Sequence, residues 1–423
     1  MPNRHLSLLA LSLLLPLTTT ATASDLRVRA DASLDLAWYD DDHGGRADHA
    51  LQEALGIYNV HDHGDPLRRG LNLQRAQLGT QLQAGEWGHG RLSLVAVRDE
   101  VRLDEAWLAG RLGDTGLQLR AGKFYSGIGL LNAVQMPEWA FADRPLPYRM
   151  LLDDALRGRG VQLEWLPRFA PWLQLGTEWM NTGNPGVAGR VNGEANAFGI
   201  RLPFAGAPEW PALRTAYART RIPLGAAAEL HLGGWQLDSR LHQELHDYHP
   251  GINEADHGLQ GKARMYGAQV AWVTRPDAAG RGWRVEGEYW DQRKDLTLVY
   301  HQLKPVLVGQ PRDLRVDGAY LQVVHDLSPR WQAGLRHDRV GMTHRASRAR
   351  ATVGPRITSY FDDMERTSLA LTWRPRAQQH LRLQWSRASA PVPEDRDDNG
   401  RDESVRRRFD QWWLQYQIAF ATR

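Results

Sequence analysis

The chain has 423 residues, 42% hydrophobic and 24% charged, with 52 Lys and Arg against 49 Asp and Glu. A mean hydropathy of -0.51 and no apolar run of about 20 residues beyond the N-terminus exclude a polytopic helical membrane protein. The absence of Cys removes disulfides, thiolate metal sites and cysteine nucleophiles, and a net charge of only +3 without a basic stripe argues against a nucleic-acid partner.

The first residues carry Arg4 and His5, then an apolar stretch from Leu6 to Leu17, then Ala21-Thr22-Ala23. That order of charged head, apolar middle and small-residue exit predicts a secretory signal over 1–23, cleaved after Ala23. Residues 24–423 are then one domain. From residue 26 onward the dominant period is two. Leu117, Leu119 and Ala121 alternate with Gln118, Arg120 and Gly122; Trp331, Ala333 and Leu335 alternate with Gln332, Gly334 and Arg336; Leu381, Leu383 and Trp385 alternate with Arg382, Gln384 and Ser386. Each such segment is a strand with one apolar and one polar face.

A soluble sandwich buries the apolar face against a second sheet, whereas an outer-membrane barrel turns it to lipid and lines a wet lumen with the polar face. Segments of roughly 9–12 residues suit a tilted membrane-crossing strand. Aromatics near segment ends, among them Trp38, Trp107, Trp165, Trp179, Trp283, Trp331 and Trp373, suit the headgroup level. The expected fold is all-β, a closed antiparallel transmembrane β-barrel in the bacterial outer membrane.

Short and long gaps alternate, as periplasmic turns and extracellular loops do. They place strands at 26–39, 70–84, 91–98, 101–110, 116–124, 159–166, 172–180, 195–203, 228–239, 263–274, 282–291, 315–326, 331–340, 366–374, 379–388 and 408–420, about sixteen. Leu213 to Thr220 falls, on this reading, in a long periplasmic connection. An even count puts both termini on the periplasmic side, and Phe409 to Phe420 forms an aromatic-ended last strand.

Ala121-Gly122-Lys123-Phe124, followed by a long insertion and then Gly158-Arg159-Gly160-Val161-Gln162-Leu163, resembles the phosphate-selective porin O and P family of the wider porin superfamily. The resemblance covers about 45 residues locally. It implies a sixteen-stranded barrel, a homotrimer, and a third loop that folds into the lumen and narrows it, here residues 125–157. Independently of any family, Met136, Trp139, Phe141 and Tyr148 in that loop each gain about 1.5–3 kcal/mol on burial, so the loop should pack against the inner wall. Arg144, Arg149 and Tyr148, with Arg120 on the preceding strand, are the candidate constriction residues; the alternative is that the loop arginines pair with Asp143, Asp153 and Asp154 and only hold the loop. The family's phosphate-selective members carry a lysine cluster and an arginine ladder, whereas here Glu164, Glu178, Glu286 and Glu288 share the lumen parity with Arg284, Arg336 and Arg382. A mixed-charge lumen is expected.

Two loop regions are rich in imidazole and carboxylate. His61 and His63 stand in the first long loop, His246 and His249 in the fifth, and such side chains are suitable ligands for zinc or copper. They define an alternative function, metal-associated uptake at the outer membrane. Asp395, Asp397, Asn399 and Gly400 are spaced like the start of a calcium loop, but Arg406 occupies the position of the closing Glu. No G-x-S-x-G motif or other catalytic constellation is present, so no enzyme activity and no cofactor are expected. The expected function is a porin for passive diffusion of small hydrophilic solutes or ions, with lipid and lipopolysaccharide as surrounding partners.

Overall fold

The computed structural model describes residues 26–421, apart from 48–49, 52–66, 98–99, 192–201, 205, 207–209, 247–256, 349–356 and 395–402. The proposed signal segment 1–23 therefore lies outside the described residues. Strands β1 (Leu26–Asp41), β2 (Gly70–Ala84), β3 (Gly88–Val97), β4 (Glu100–Arg111), β5 (Leu117–Tyr125), β6 (Arg157–Trp165), β7 (Leu173–Asn181) and β8 (Leu213–Leu224) form the first half of the wall. The second half is β9 (Ala228–His246), β10 (His257–Thr274), β11 (Gly282–His301), β12 (Pro311–Ser328), β13 (Trp331–Arg348), the short β14 (Ile357–Tyr360), β15 (Met364–Arg376), β16 (Gln379–Glu394) and β17 (Glu403–Ala421).

Apart from β14 and β15, which both pair with β13 and not with each other, every strand pairs antiparallel with its neighbours in sequence, and β1 also pairs with β17 over Asp31↔Ala421 to Asp41↔Gln411, which closes the sheet on itself. β14 and β15 face the same strand β13 in succession, Arg345↔Tyr360 and then Val340↔Met364. They count as one interrupted stave, and the barrel has sixteen.

The packing is inverted relative to a water-soluble sheet protein. Leu78 is 67% exposed beside Gln77 at 5%, and Leu383 is 56% exposed between Arg382 and Gln384, which are buried. Leu414 repeats the pattern beside Gln415. Apolar side chains of one parity thus cover the outside, while the polar parity is packed within. This arrangement is stable only where hydrocarbon meets the outer face, and it excludes the sandwich. Trp283, Trp331 and Trp373 mark the edge of the apolar band near the short turns, with Trp331 and Trp373 paired across β13 and β15.

Sequence and structure differ at the eighth strand. It is Leu213–Leu224, not 195–203; most of that range lies outside the described residues, and Leu202, Pro203 and Phe204 are not in a strand. Leu213, Thr215 and Tyr217 point inward, and Arg214, Ala216 and Ala218 outward, so neither face shows the apolar stripe that the period-two test seeks. The correction keeps the count even. β8 turns into β9 through Gly225, Ala226 and Ala227, so the end of β7 at Asn181 and the start of β8 at Leu213 lie on the opposite side.

Wall height is uneven. β5, β6 and β7 have 9 residues each, whereas β9 to β13 have 18–20. The extra length lies on the loop side.

Leu369 faces outward on β15, four residues from the Trp373 edge, near mid-band. Leu369→Arg should lower the stability of the barrel in lipid vesicles by about 2–4 kcal/mol, measured by equilibrium denaturant unfolding.

Candidate functional site: a loop across the lumen

The connection between β5 and β6, residues 126–156, does not stand above the barrel. Its base is fastened where it leaves the wall: Asn132 donates to the carbonyls of Ser126 and Leu156, each at 2.8 Å, and its side-chain oxygen accepts from the Leu156 N–H at 2.8 Å. Glu178 on β7 accepts from the Gly127 N–H at 2.7 Å and from the Ser126 hydroxyl.

From there the chain crosses the lumen to the far wall. The Glu288 carboxylate on β11 accepts from the Leu130 N–H at 2.8 Å, from the Tyr148 hydroxyl at 2.7 Å and from the Tyr320 hydroxyl of β12 at 2.7 Å. Gly129, at φ +67°, takes a left-handed conformation that favours glycine, and a Cβ there would lie 2.3 Å from the Tyr148 hydroxyl. Asp143 is the second anchor. Arg336 of β13 donates to its Oδ1 at 2.8 Å and to its backbone carbonyl at 2.8 Å, Arg366 of β15 donates to its Oδ2 at 2.5 Å, and Gln384 of β16 donates to Oδ1 at 3.0 Å. Arg382 donates to the carbonyls of Phe141, at 3.1 Å, and Trp139. Gln417 of β17 reaches the Met136 carbonyl at 3.2 Å.

Apolar contacts complete the seat. Phe141 packs with Val324 and Ala370 beneath the Arg336 guanidinium, 4.4 Å from the ring. A Cβ at Gly334 would stand 2.9 Å from the Phe141 ring, so only glycine admits the ring so close to β13. Tyr148, on helix α1 (Leu146–Leu152), stacks edge-on to Trp290 with centroids 4.4 Å apart. A second inward segment supports α1: the one-turn helix α2 (Pro185–Ala188), whose Gly186 carbonyl accepts from Gln292 at 2.9 Å.

These contacts place the sequence-derived candidates. Tyr148 is buried in the seat with its hydroxyl on Glu288. Arg144 is buried and donates to the loop's own carbonyls at Leu131, Asn132 and Val134 (2.6, 3.3 and 3.3 Å), with its guanidinium 4.7 Å from the Trp139 ring. Arg149 lies 3.7 Å from Asp143 and 3.9 Å from Asp154. These three groups sit within the loop's packing. Arg120 differs: it faces inward from β5, its guanidinium 4.4 Å from the Trp107 ring and 5.8 Å from Phe124, and it makes no ion pair among the described residues.

Sequence reasoning did not single out Arg219 of β8. It also faces inward, donates to the Gly129 carbonyl at 3.1 Å, lies 4.9 Å from the Tyr217 ring, and makes no ion pair among the described residues. In the sequence its strand reads as a connection, which hides its parity. Two nearby cations are matched: Arg91 pairs with Asp31 at 3.2 Å and with Glu105 at 3.0 Å, and Arg75 reaches over β3 to Asp104 at 2.5 Å.

His61, His63 and His249 lie outside the described residues, as do Asp395, Asp397, Asn399 and Gly400. His246 is placed by its backbone alone, opposite His257. Among the described residues no group of three or more His, Asp or Glu is arranged to hold a metal.

No protein-family model matches the chain. A curated relative, an uncharacterized protein of Aquifex aeolicus, is 26% identical over 279 residues, which is 66% of this chain and 56% of the relative's length. Solved structures are similar in fold. The anion-selective porin from Comamonas acidovorans has a TM-score of 0.52 at 9% identity, covering 93% of this chain and 99% of its own. OprB of Pseudomonas putida scores 0.52 at 11%, covering 94% of both chains. OmpT of Vibrio cholerae scores 0.51 at 8%, covering 93% and 97%. The fold is the sixteen-stranded outer-membrane barrel, and the chain resides in the bacterial outer membrane.

Burial alone would raise the Asp143 carboxyl, but Arg366, Arg336 and Arg149 outweigh it and hold the group well below the ordinary 3.8. A depressed carboxyl contributes its stability in full above its unfolded value and loses it as pH falls through the folded one. Protection of 126–156 against hydrogen exchange should therefore stay level from about pH 8 to pH 5 as far as Asp143 is concerned, and fall only in strong acid. Asp143→Asn leaves Arg336 and Arg366 short of a buried counter-charge, at a cost of about 3–5 kcal/mol; exchange in 126–156 should rise sharply while strand amides stay protected.

Proposed function

We propose that the protein is a passive porin for small hydrophilic solutes, with a lumen that favours anions. One observation carries this reading. The loop neutralises its own carboxylate on the far wall, and the near wall keeps Arg120 and Arg219 facing inward without a paired acid. Aromatic faces hold both guanidinium groups in place without cancelling their charge. A narrowed, partly dry passage strengthens the field of such groups on a passing ion.

A diffusion channel needs no moving part, and a seat made of buried ion pairs and aromatic packing keeps the loop fixed. The similarity to a porin whose name records anion selectivity supports the charge preference. A trimer form of the similar Vibrio cholerae OmpT supports a homotrimeric assembly.

Planar-bilayer recording tests the reading. The protein should give steady conductance steps, and a KCl gradient should give a reversal potential of anion-selective sign. At an effective dielectric near 40, one charge about 8 Å from a passing ion is worth about 1 kcal/mol, of opposite sign for chloride and potassium, so Arg120→Ala or Arg219→Ala should lower the chloride-to-potassium permeability ratio by up to roughly thirtyfold. Absence of conductance by correctly folded protein would defeat the porin reading; an unmoved ratio in both variants would defeat the anion preference.

A further inference from the structure

From Phe124 to Pro137 the chain that enters the lumen carries no charged side chain. The later part of the crossing loop, from Ala140 to Met150, is buried against the far wall except at Arg149. The earlier part differs. Leu130, Leu131 and Val134 are only partly buried and Ala133 is exposed, although Ile128 and Asn132 between and beside them are fully enclosed. An apolar strip is thus left uncovered on the loop.

Contacts at its two ends fix where the strip lies. At its start the Gly129 carbonyl accepts from Arg219 at 3.1 Å. At its end Gln135 Nε2 stands 3.4 Å from the Glu105 carboxylate of β4, which also accepts from the Trp107 N–H at 3.0 Å. The Trp107 ring in turn carries the Arg120 guanidinium. Leu130 to Val134 therefore bridge from the surroundings of one inward arginine to those of the other. Of the acids beside them, Glu105 is matched by Arg91 at 3.0 Å, and Glu164 is held by the Tyr217 hydroxyl at 2.6 Å and by Gln174 at 2.9 Å. The loop's next charge, Glu138, comes after Met136 has met Gln417 of β17, outside this span.

An arginine at each end of an apolar strip discriminates among anions. Chloride gains from the guanidinium alone. A carboxylate with a hydrocarbon body can set its two oxygens on the guanidinium fork and lay its body on Leu130 and Val134, where each methylene removed from water adds to binding. A neutral molecule of the same shape gains only the second contact.

We propose that the channel prefers, among anions, monocarboxylates that carry an aromatic or short aliphatic body. This rests on the anion-favouring reading above and names a solute class within it. The carboxylate meets Arg120 or Arg219, and the body travels along the strip between them.

Planar-bilayer recording of the full chain in KCl, with benzoate, acetate and benzyl alcohol added in turn, tests the site. Benzoate and acetate bear the same charge, so a difference between them is separate from anion preference itself. Benzoate should interrupt the current at a concentration roughly tenfold lower than acetate, the effect of withdrawing about two methylene equivalents from water. Benzyl alcohol should not interrupt it. In the double variant Leu130→Asn, Val134→Thr, which keeps the backbone contacts of both residues, the advantage of benzoate should shrink to roughly threefold or less. Equal block by benzoate and acetate, equal block by benzyl alcohol and benzoate, or an undiminished benzoate advantage in a conducting double variant would each overturn the proposal. Loss of anion preference in plain KCl would bring down the anion reading and this proposal together, whereas an intact preference without a benzoate advantage defeats this proposal alone. Should the double variant not conduct, the comparison of the three solutes on the unaltered channel decides.

Discussion

A backbone N–H or C=O left without a partner in hydrocarbon costs several kcal/mol, so a sheet can enter a bilayer only if it has no free edge. The pairing of β1 with β17 is the contact on which everything else rests. Once the ring is closed, side chains of one parity face lipid and those of the other face a shared interior, and buried Arg336, Arg366 and Arg382 become tolerable because the inserted loop brings them the Asp143 carboxylate and its own carbonyls. Closure also decides who faces whom. In a ring of sixteen, β13 lies opposite β5, so a loop leaving β5 finds β11 to β17 in front of it.

That opposition organises the interior into two unlike walls. The far wall holds the loop through Glu288, Arg336, Arg366, Arg382 and Gln384, and its charges are consumed in doing so. The near wall keeps Arg120 and Arg219 against aromatic rings. On the proposed reading, selectivity and mechanical stability fall to different residues, although the same side-chain types serve both.

Most of the staves were legible because their outward residues are large and apolar and their inward residues polar, as in β13 and β16. β8 was not, because small Ala216 and Ala218 on its outer face and Tyr217 within blur the contrast. The loop's inward course could be read from its apolar content, but not its landing place, since no spacing along the chain reveals which strands a closed ring sets opposite each other. For the same reason Arg144 and Tyr148 looked like equals of Arg120 in sequence, while folding turned them into the loop's own fastening.

The anchors of the crossing loop have one further consequence, for assembly. Its partners lie far downstream, Arg336 at 193 residues from Asp143 and Arg366 at 223. Contacts at such separations form slowly, because so much chain must be organised before they yield anything. A segment made early in synthesis must wait for staves made near the end, and must already be threaded inside when the last one docks. The seated loop is therefore a built-in report on completed closure, since a cylinder missing its final staves has nowhere to set it down.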